Sequence, residues 1–142
     1  MKKNRFNEIK NKFPNYLPIK LLEEKLDNLE EKSIEVYRVC KYGFVNESFL
    51  STYEDVNFYN GHRSKNYDEN DISTFSMSCY TKKSKAELLL KCFKNQYGYS
   101  NSLLAIGETN IDYGIINIES PHVDFFIYDG MCPISSFREC ME

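Results

Sequence analysis

The sequence predicts an α+β fold, with an N-terminal helix followed by a mixed, mainly antiparallel sheet and one mid-chain helix. The length of 142 residues fits a single domain over 1–142, since two domains of about 70 residues would each be marginal. Eleven Tyr and ten Phe favour strands over helical arrays or disorder. The predicted order is helix, strand, long loop, strand, helix and several strands, which argues against regular alternating winding.

Two helical segments are predicted before the sheet. In residues 1–16, apolar side chains recur at spacings of three and four, which indicates either a weak helix or a partly ordered arm. Residues 19–32 show the clearest helical pattern, because leucines repeat with the helical period after Pro18, which suits a first turn. The two apolar stripes consist of Phe6, Ile9 and Phe13, and of Leu22, Leu26 and Leu29.

Alternation of apolar residues, or enrichment in β-branched and aromatic residues, predicts the strands. Between the first two strands, residues 44–70 form a long polar segment, and such segments are often functional. A helix is expected from about Lys85 to Asn95, capped by Ser84. The predicted strands are 34–40, 72–80, 102–107, 115–118 and 123–128, and 132–137 is a candidate edge strand. Aromatic residues without apolar periodicity in the long segment are Tyr53, Phe58, Tyr59 and Tyr67.

Charge and cysteine content exclude several classes of protein. A net charge of −3 argues against broad nucleic-acid binding, which depends on neutralising phosphates. The five cysteines have neither the pairing nor the His spacing of a zinc site, so free thiols in a reducing compartment are expected. No apolar stretch resembles a signal peptide or membrane span, so the expected location is the cytoplasm.

Tyr37 and Arg38 lie inside an otherwise apolar predicted strand. A buried, unpaired guanidinium is costly, so Arg38 is expected to reach a sheet edge, pair with an acidic side chain or bind an anion. The candidate acidic partners are Glu35, Glu54 and Asp55.

Two further patterns place polar side chains on strand faces. Residues two apart in a strand share a face, so Thr74, Ser76 and Ser78 are expected to form a row of hydroxyls. His122 and Asp124 share a face by the same rule and could share a proton or hold a ribose hydroxyl. The alternatives are a solvent-facing row of hydroxyls and a polar pair that caps a strand entrance.

Other motifs are weak or absent. His62 and Arg63, beside Gly61 in the long segment, could close over an anionic ligand or form an exposed turn. The sequence lacks the glycine-rich phosphate-binding patterns and the His-Glu-x-x-His pattern. It also lacks the Gly-x-Ser-x-Gly pattern, which disfavours a serine hydrolase.

Taken in order, Arg38 in a first core strand, Ser76-x-Ser78 on a second and a helix opening with Ala86 resemble the ADP-ribosyltransferase fold of the arginine, Ser-x-Ser, glutamate type. The resemblance covers about residues 34–129. In that family, the arginine contacts the dinucleotide and the serines support a catalytic glutamate in an E-x-E or Q-x-E motif. His122-Val123-Asp124 stands where that motif would be, and Asp is one methylene shorter than Glu.

The resemblance implies an ADP-ribosyltransferase-like protein that binds NAD or a related nucleotide and transfers ADP-ribose, although whether it is an enzyme stays open. Arg38 would hold phosphate, and Asp124 with His122 would take the catalytic role. The resemblance implies no metal, and Glu108 and Glu119 are substitutes for Asp124. The cofactor-binding residues it implies are Arg38, Tyr37, Ser76, Ser78 and Tyr59, with Tyr53 or Tyr80 as alternative stacking partners for a base.

Two other functions are compatible with the same sequence. One is a non-catalytic inhibitor of the kind encoded by phages and mobile elements, which would bind a host defence protein through an acidic, aromatic surface. The other keeps the nucleotide pocket and uses it for sensing or sequestration.

Overall fold

Seven strands form one sheet in the order β1-β5-β6-β3-β2-β4-β7 in the computed structural model, which describes residues 1–141. The strands are β1 (Leu29–Glu30), β2 (Glu35–Cys40), β3 (Met77–Tyr80), β4 (Leu103–Glu108), β5 (Gly114–Glu119), β6 (His122–Ile127) and β7 (Phe137–Glu139). Every pairing between these strands is antiparallel. The α+β class is therefore confirmed, and the predicted mixed sheet is entirely antiparallel in the described part of the chain.

Four helices accompany this sheet in the described chain. They are α1 (Lys3–Ile9), α2 (Ile19–Glu23), the short α3 (Thr52–Glu54), which continues as a π-helical turn over Asp55–Tyr59, and α4 (Lys83–Asn95). Helix α4 confirms the mid-chain helix, but it begins after Lys82, and no side chain caps it, so the expected Ser84 cap is wrong. Ser51 caps α3 instead, where its hydroxyl accepts from the Glu54 N–H in a capping box.

The predicted helix over 19–32 is wrong beyond its first turns. Helix α2 ends at Glu23, a 3₁₀ turn covers Leu26–Asn28, and Leu29–Glu30 pairs with β5 as an edge strand. The leucines of this segment pack against the sheet, which explains their spacing without one continuous helix. At Leu29, pairing with a neighbouring strand outweighs the local helical period.

The apolar side chains of residues 1–16 pack into the core. Phe6 and Ile9 are fully buried, and Phe13 is 5% exposed. The amino group of Met1 donates to the carbonyl oxygens of Leu26 at 2.8 Å and Leu29 at 2.9 Å. This segment covers one end of the sheet.

The predicted strand over 72–80 begins too early, because Ile72–Phe75 forms a 3₁₀ turn. The Asp71 carboxylate accepts from the Ser73 N–H and starts this turn. The hydroxyl of Thr74 donates to the Asp68 carbonyl at 2.6 Å, so the expected row of three hydroxyls loses its first member. A similar 3₁₀ turn over Pro133–Ser136 replaces most of the candidate edge strand, and β7 follows it.

One face of the sheet positions the candidate site. Helix α4 covers its β2–β4 side through Leu89 and Phe93, and the N-terminal segment covers the β5–β6 side. Between these two apolar regions the pairing register places polar residues side by side. They are Ser78, Asn117, His122 and Asp124.

Candidate functional site

A cavity of about 240 Å³ opens where β2 and β3 separate. These strands pair at Tyr37 and Tyr80, and the ladder does not continue to Ser78. The long segment after β2 and helix α4 provide the remaining walls. Among the residues that line the cavity are Arg38, Lys41, Tyr42, His62, Ser78 and Tyr80.

Arg38 fills the gap between the two strands. Its Nε donates to the Ser48 carbonyl at 3.0 Å, Nη1 to the Ser78 carbonyl at 2.8 Å and Nη2 to the Leu50 carbonyl at 3.2 Å. The charge is thus held by backbone oxygens, and none of the three expected acidic partners pairs with it in residues 1–141. A guanidinium has five N–H groups, so two have no partner among these contacts, and Arg38 lines the cavity.

Ser78, His122, Asp124 and Ser76 form one polar network, made of two hydrogen bonds and a longer contact between His122 and Asp124. Ser78 Oγ lies 2.7 Å from His122 Nε2, and His122 Nδ1 lies 3.5 Å from Asp124 Oδ1. Ser76 Oγ lies 2.9 Å from the same Asp124 oxygen and 2.8 Å from the Ser73 carbonyl oxygen, and its one proton can go to either acceptor. The structure therefore brings together the Ser-x-Ser and His-x-Asp patterns, although Ser78 and His122 are 44 residues apart in the sequence.

Asp124 lies buried inside this network, at 5% exposure. Burial raises the pKa of its carboxyl, His122 and Ser76 act against that rise, and Glu119 and Asp71 add to it. The Ser78 and His122 side chains are more accessible than Asp124. A ligand in the cavity would therefore contact Ser78 directly, whereas Asp124 is shielded from it.

Asn117 is a site residue that the sequence analysis missed. It lies opposite Asp124 across the β5–β6 ladder, is 2% exposed and has no hydrogen-bond partner at Oδ1. A single polar residue within the apolar run Ile115–Ile118 was the signal that could have identified it.

Lys41 is a second cation in the cavity wall, and it too was missed. Its Nζ lies 2.9 Å from Asp55 Oδ2, and the Asp55 carboxylate also accepts from the Tyr42 hydroxyl at 2.6 Å. The ammonium group lies 5.0 Å from the centre of the Tyr99 ring and 5.6 Å from that of Phe93. Asp55 uses one of the three N–H donors of Lys41, so Lys41 and Arg38 are both cations in the cavity wall with donors left over.

The predicted aromatic residues occupy different places. Tyr80 lines the cavity, whereas Tyr37 packs against α4 in the same cluster as Phe93. Tyr59 contacts the Tyr42 ring at 4.9 Å and lines a neighbouring groove rather than the cavity. Tyr53 stacks on Phe75 at 4.8 Å as part of the core. Of the four aromatic residues singled out in the long segment (Tyr53, Phe58, Tyr59 and Tyr67), Tyr67 is the one in the cavity wall.

The other candidate residues lie outside the polar network of Ser78, His122, Asp124 and Ser76. Arg63 pairs with Glu69 at 3.7 Å on the surface, while His62 lines the cavity. Glu108 is exposed at the end of β4, and Glu119 lies near Asn117, with its Oε1 3.4 Å from Asn117 Nδ2.

Residues 1–141 contain no group of three or more His, Cys, Asp or Glu side chains arranged for a metal ion. The five cysteines, all in this range, are unpaired. No helix in the described chain has the length and apolar character needed to cross a membrane.

Comparison of the chain with protein-family models found no match, and comparisons with curated proteins and with solved structures found no significant similarity.

Proposed function

We propose that the chain binds NAD or a related nucleotide in the cavity between β2 and β3 and acts as an ADP-ribosyltransferase-like protein. The observation that supports this proposal is the meeting of three distant segments. Arg38 Nη1 contacts the Ser78 backbone, Ser78 contacts His122, and Ser76 and His122 both contact Asp124. These are the residues that the family resemblance selects.

In the proposed complex, the two unused N–H groups of Arg38 bind a phosphate, since guanidinium and phosphate geometries match. Ser78 and His122 hydrogen-bond the ribose hydroxyls, with the Asp124 carboxylate behind them. Nicotinamide leaves with the electron pair of its C–N bond, and the negative charge of Asp124 stabilises the developing oxocarbenium ion. An acceptor nucleophile then forms the new bond and loses its proton.

The cavity size limits how much ligand enters. Small-molecule sites usually measure about 300–1,000 Å³, and this cavity measures about 240 Å³. We therefore place the nicotinamide riboside half inside and the adenosine half along the long segment near Tyr67. The proposed compartment is the cytoplasm, where the five free thiols would stay reduced.

Calorimetry with NAD and measurement of released nicotinamide test the proposal together. We expect saturable binding in the wild type that Arg38→Ala and Ser78→Ala weaken, and turnover that Asp124→Asn lowers at least tenfold. Arg138→Ala is the matched control, because Arg138 is exposed on β7 away from the cavity. Binding without turnover would leave sensing or sequestration, and absence of binding would remove the proposal.

A groove beside the cavity favours a second candidate function, the binding of a basic protein segment. The groove has a volume of about 320 Å³ and shares Glu47 and Leu50 with the cavity. Its apolar rim is exposed, with Phe58 at 64% and Tyr59 at 53%. Its acidic residues are Glu47, Glu54 and Asp129, and no Lys or Arg lines it within the described chain.

Negative charge beside exposed aromatic rings fits an extended segment that alternates Arg or Lys with apolar residues. An alternating Arg-Leu peptide should therefore bind in a salt-sensitive way, and an alternating Glu-Leu peptide should not. Asp129→Lys should weaken the binding, whereas Glu139→Lys on β7 should not. Equal binding of the two peptides would exclude this function, and a dimer in sedimentation experiments would assign the groove to a second copy of the chain.

A further inference from the structure

Beyond nucleotide binding, we propose that Ser78 is an activated nucleophile and that the chain cleaves small esters by acyl transfer to Ser78 Oγ. His122 would act as its base, and Asp124 would orient His122. The inference uses the same cavity but does not depend on NAD.

The distances fit the three roles. A nucleophilic hydroxyl needs a base within about 2.6–3.2 Å, often looser in the absence of substrate, and Ser78 Oγ lies 2.7 Å from His122 Nε2. The base needs an acidic group at its other ring nitrogen, and His122 Nδ1 lies 3.5 Å from Asp124 Oδ1, a contact longer than a hydrogen bond that would have to shorten when substrate binds. This order of contacts is what defines a Ser-His-Asp triad, regardless of fold or sequence position.

The sheet holds these groups in place. Ser78 and Asp124 are direct register partners on β3 and β6, and His122 follows two positions away on the same face. The Tyr80 ring meets the His122 ring edge-on at 5.5 Å, and Ser76 Oγ lies 2.9 Å from the Asp124 oxygen that His122 also contacts. A constellation built on paired strands is more rigid than one built on loops.

Among Ser78, His122, Asp124 and Ser76, Ser78 is the residue that lines the cavity. It lines the wall, whereas Asp124 is buried behind it. Arg38 lines the same cavity and donates to the Ser78 carbonyl at 2.8 Å, which places a positive charge next to the hydroxyl-bearing residue. The remaining guanidinium N–H groups can stabilise the negative oxygen that forms when an ester carbonyl is attacked.

The proposed reaction has two halves. Ser78 Oγ bonds to the ester carbonyl carbon, and its proton passes to His122 Nε2. The bond from that carbon to the alcohol oxygen breaks, and the alcohol leaves with the proton from His122. Water then attacks the acyl-Ser78 carbonyl with His122 as base, which releases the carboxylic acid and restores the hydroxyl.

The absence of a Gly-x-Ser-x-Gly pattern does not exclude this chemistry. That pattern describes a serine on a sharp turn between a strand and a helix. Ser78 lies within β3, and the separation of β2 from β3 exposes it instead. The Gly-x-Ser-x-Gly pattern therefore marks one structural setting in which a serine hydroxyl is accessible to substrate. A strand that separates from its neighbour is another.

The test is labelling with an alkyl fluorophosphonate, followed by peptide mass spectrometry, and hydrolysis of p-nitrophenyl acetate. We expect one label per chain at Ser78, loss of labelling in Ser78→Ala and at least a hundredfold slower labelling in His122→Asn. Ser135→Ala is the matched control, since that serine is exposed and does not line the cavity. Circular dichroism of each variant shows whether it is folded.

An unlabelled wild type, a label that persists in Ser78→Ala, or equal labelling rates in folded His122→Asn would each overturn the inference. Nicotinamide release, assayed on the same preparations, reports the proposed transferase function separately. Labelling without nicotinamide release would support the esterase alone, and nicotinamide release without labelling would support the transferase alone.

Discussion

The guanidinium of Arg38 donates to the backbone carbonyl of Ser78 at 2.8 Å, across the point where β2 and β3 cease to pair. The side chain thereby replaces ladder hydrogen bonds that the two strands do not make. Two consequences follow for the site. The strands are held apart, which leaves room for the cavity, and a positive charge is held next to Ser78.

Replacement of Arg38 by Ala should destabilise the fold. Three carbonyl oxygens, those of Ser48, Leu50 and Ser78, would lose a charged donor. Hydrogen bonds to charged groups contribute about 1.5–3 kcal/mol each, and the site is half-buried, so we expect a loss of about 3 kcal/mol in the free energy of unfolding. Urea denaturation measures it.

Arg38→Lys is the informative companion variant. A single ammonium cannot reach the three carbonyls with the planar fork that Arg uses, so it should recover less than half of the loss. Full stability in Arg38→Ala would contradict the structural role of the guanidinium.

Asp124→Asn should change how stability depends on pH. Burial raises the pKa of Asp124 in the folded chain above its unfolded value of about 3.9, so the folded state binds more protons between the two pKa values. Wild-type stability should therefore fall, relative to Asp124→Asn, as the pH rises from about 4 through the folded pKa. The Asn side chain keeps an oxygen that can accept from Ser76.

Denaturation of both proteins between pH 3.5 and pH 7 measures this difference. A wild type that gains stability relative to the variant over that range would show that the Asp124 carboxylate is better stabilised in the folded chain than in water. Asp112→Asn, on the exposed β4–β5 connection, is a suitable control.

The local sequence pattern was enough to predict β2, β4, β5, β6 and α4, because the strands are rich in apolar, β-branched or aromatic residues and the helix has an apolar stripe. It failed where distant partners decide the structure. Leu29 joins β5 across the fold, and the Asp71 carboxylate turns the chain before β3. Neither interaction leaves a periodic signal.

In the candidate site too, the local sequence pattern predicts some features, and long-range contacts determine the others. That His122 and Asp124 share a face follows from the two-residue period of a strand. Their contacts with Ser78 and Ser76 depend on β6 lying beside β3, a long-range pairing that one sequence does not specify. The carbonyl acceptors of Arg38 could not be predicted either, since they depend on the path of the backbone through Ser48 and Leu50.

The cysteines should differ sharply in reactivity. Burial raises the pKa of Cys40 to about 11 and that of Cys79 to about 12, and the thiolate is the reactive form. Cys132 is exposed. Iodoacetamide at pH 8 should therefore modify Cys132 first and leave Cys40 and Cys79 unmodified until the chain unfolds.

Mass spectrometry of peptides from native and urea-unfolded protein identifies the modified thiols. Cys132→Ser should remove the fastest phase without changing the others. Rapid native modification of Cys79 would mean that β3 opens readily, because this thiol lies on the fully buried face of that strand.

Phe6→Ala should show that the N-terminal segment stabilises the sheet. Phe6 is fully buried in a cluster with Ile115 and Phe126 of the sheet, so the substitution removes apolar contact and leaves a cavity. Such replacements cost about 3–5 kcal/mol. Thermal and urea denaturation should show one cooperative transition with reduced stability. Lys10→Ala, on the adjacent 3₁₀ turn and outside the core, should change stability little. If Phe6→Ala had no more effect than Lys10→Ala, residues 1–16 would be an arm that contributes nothing to folding.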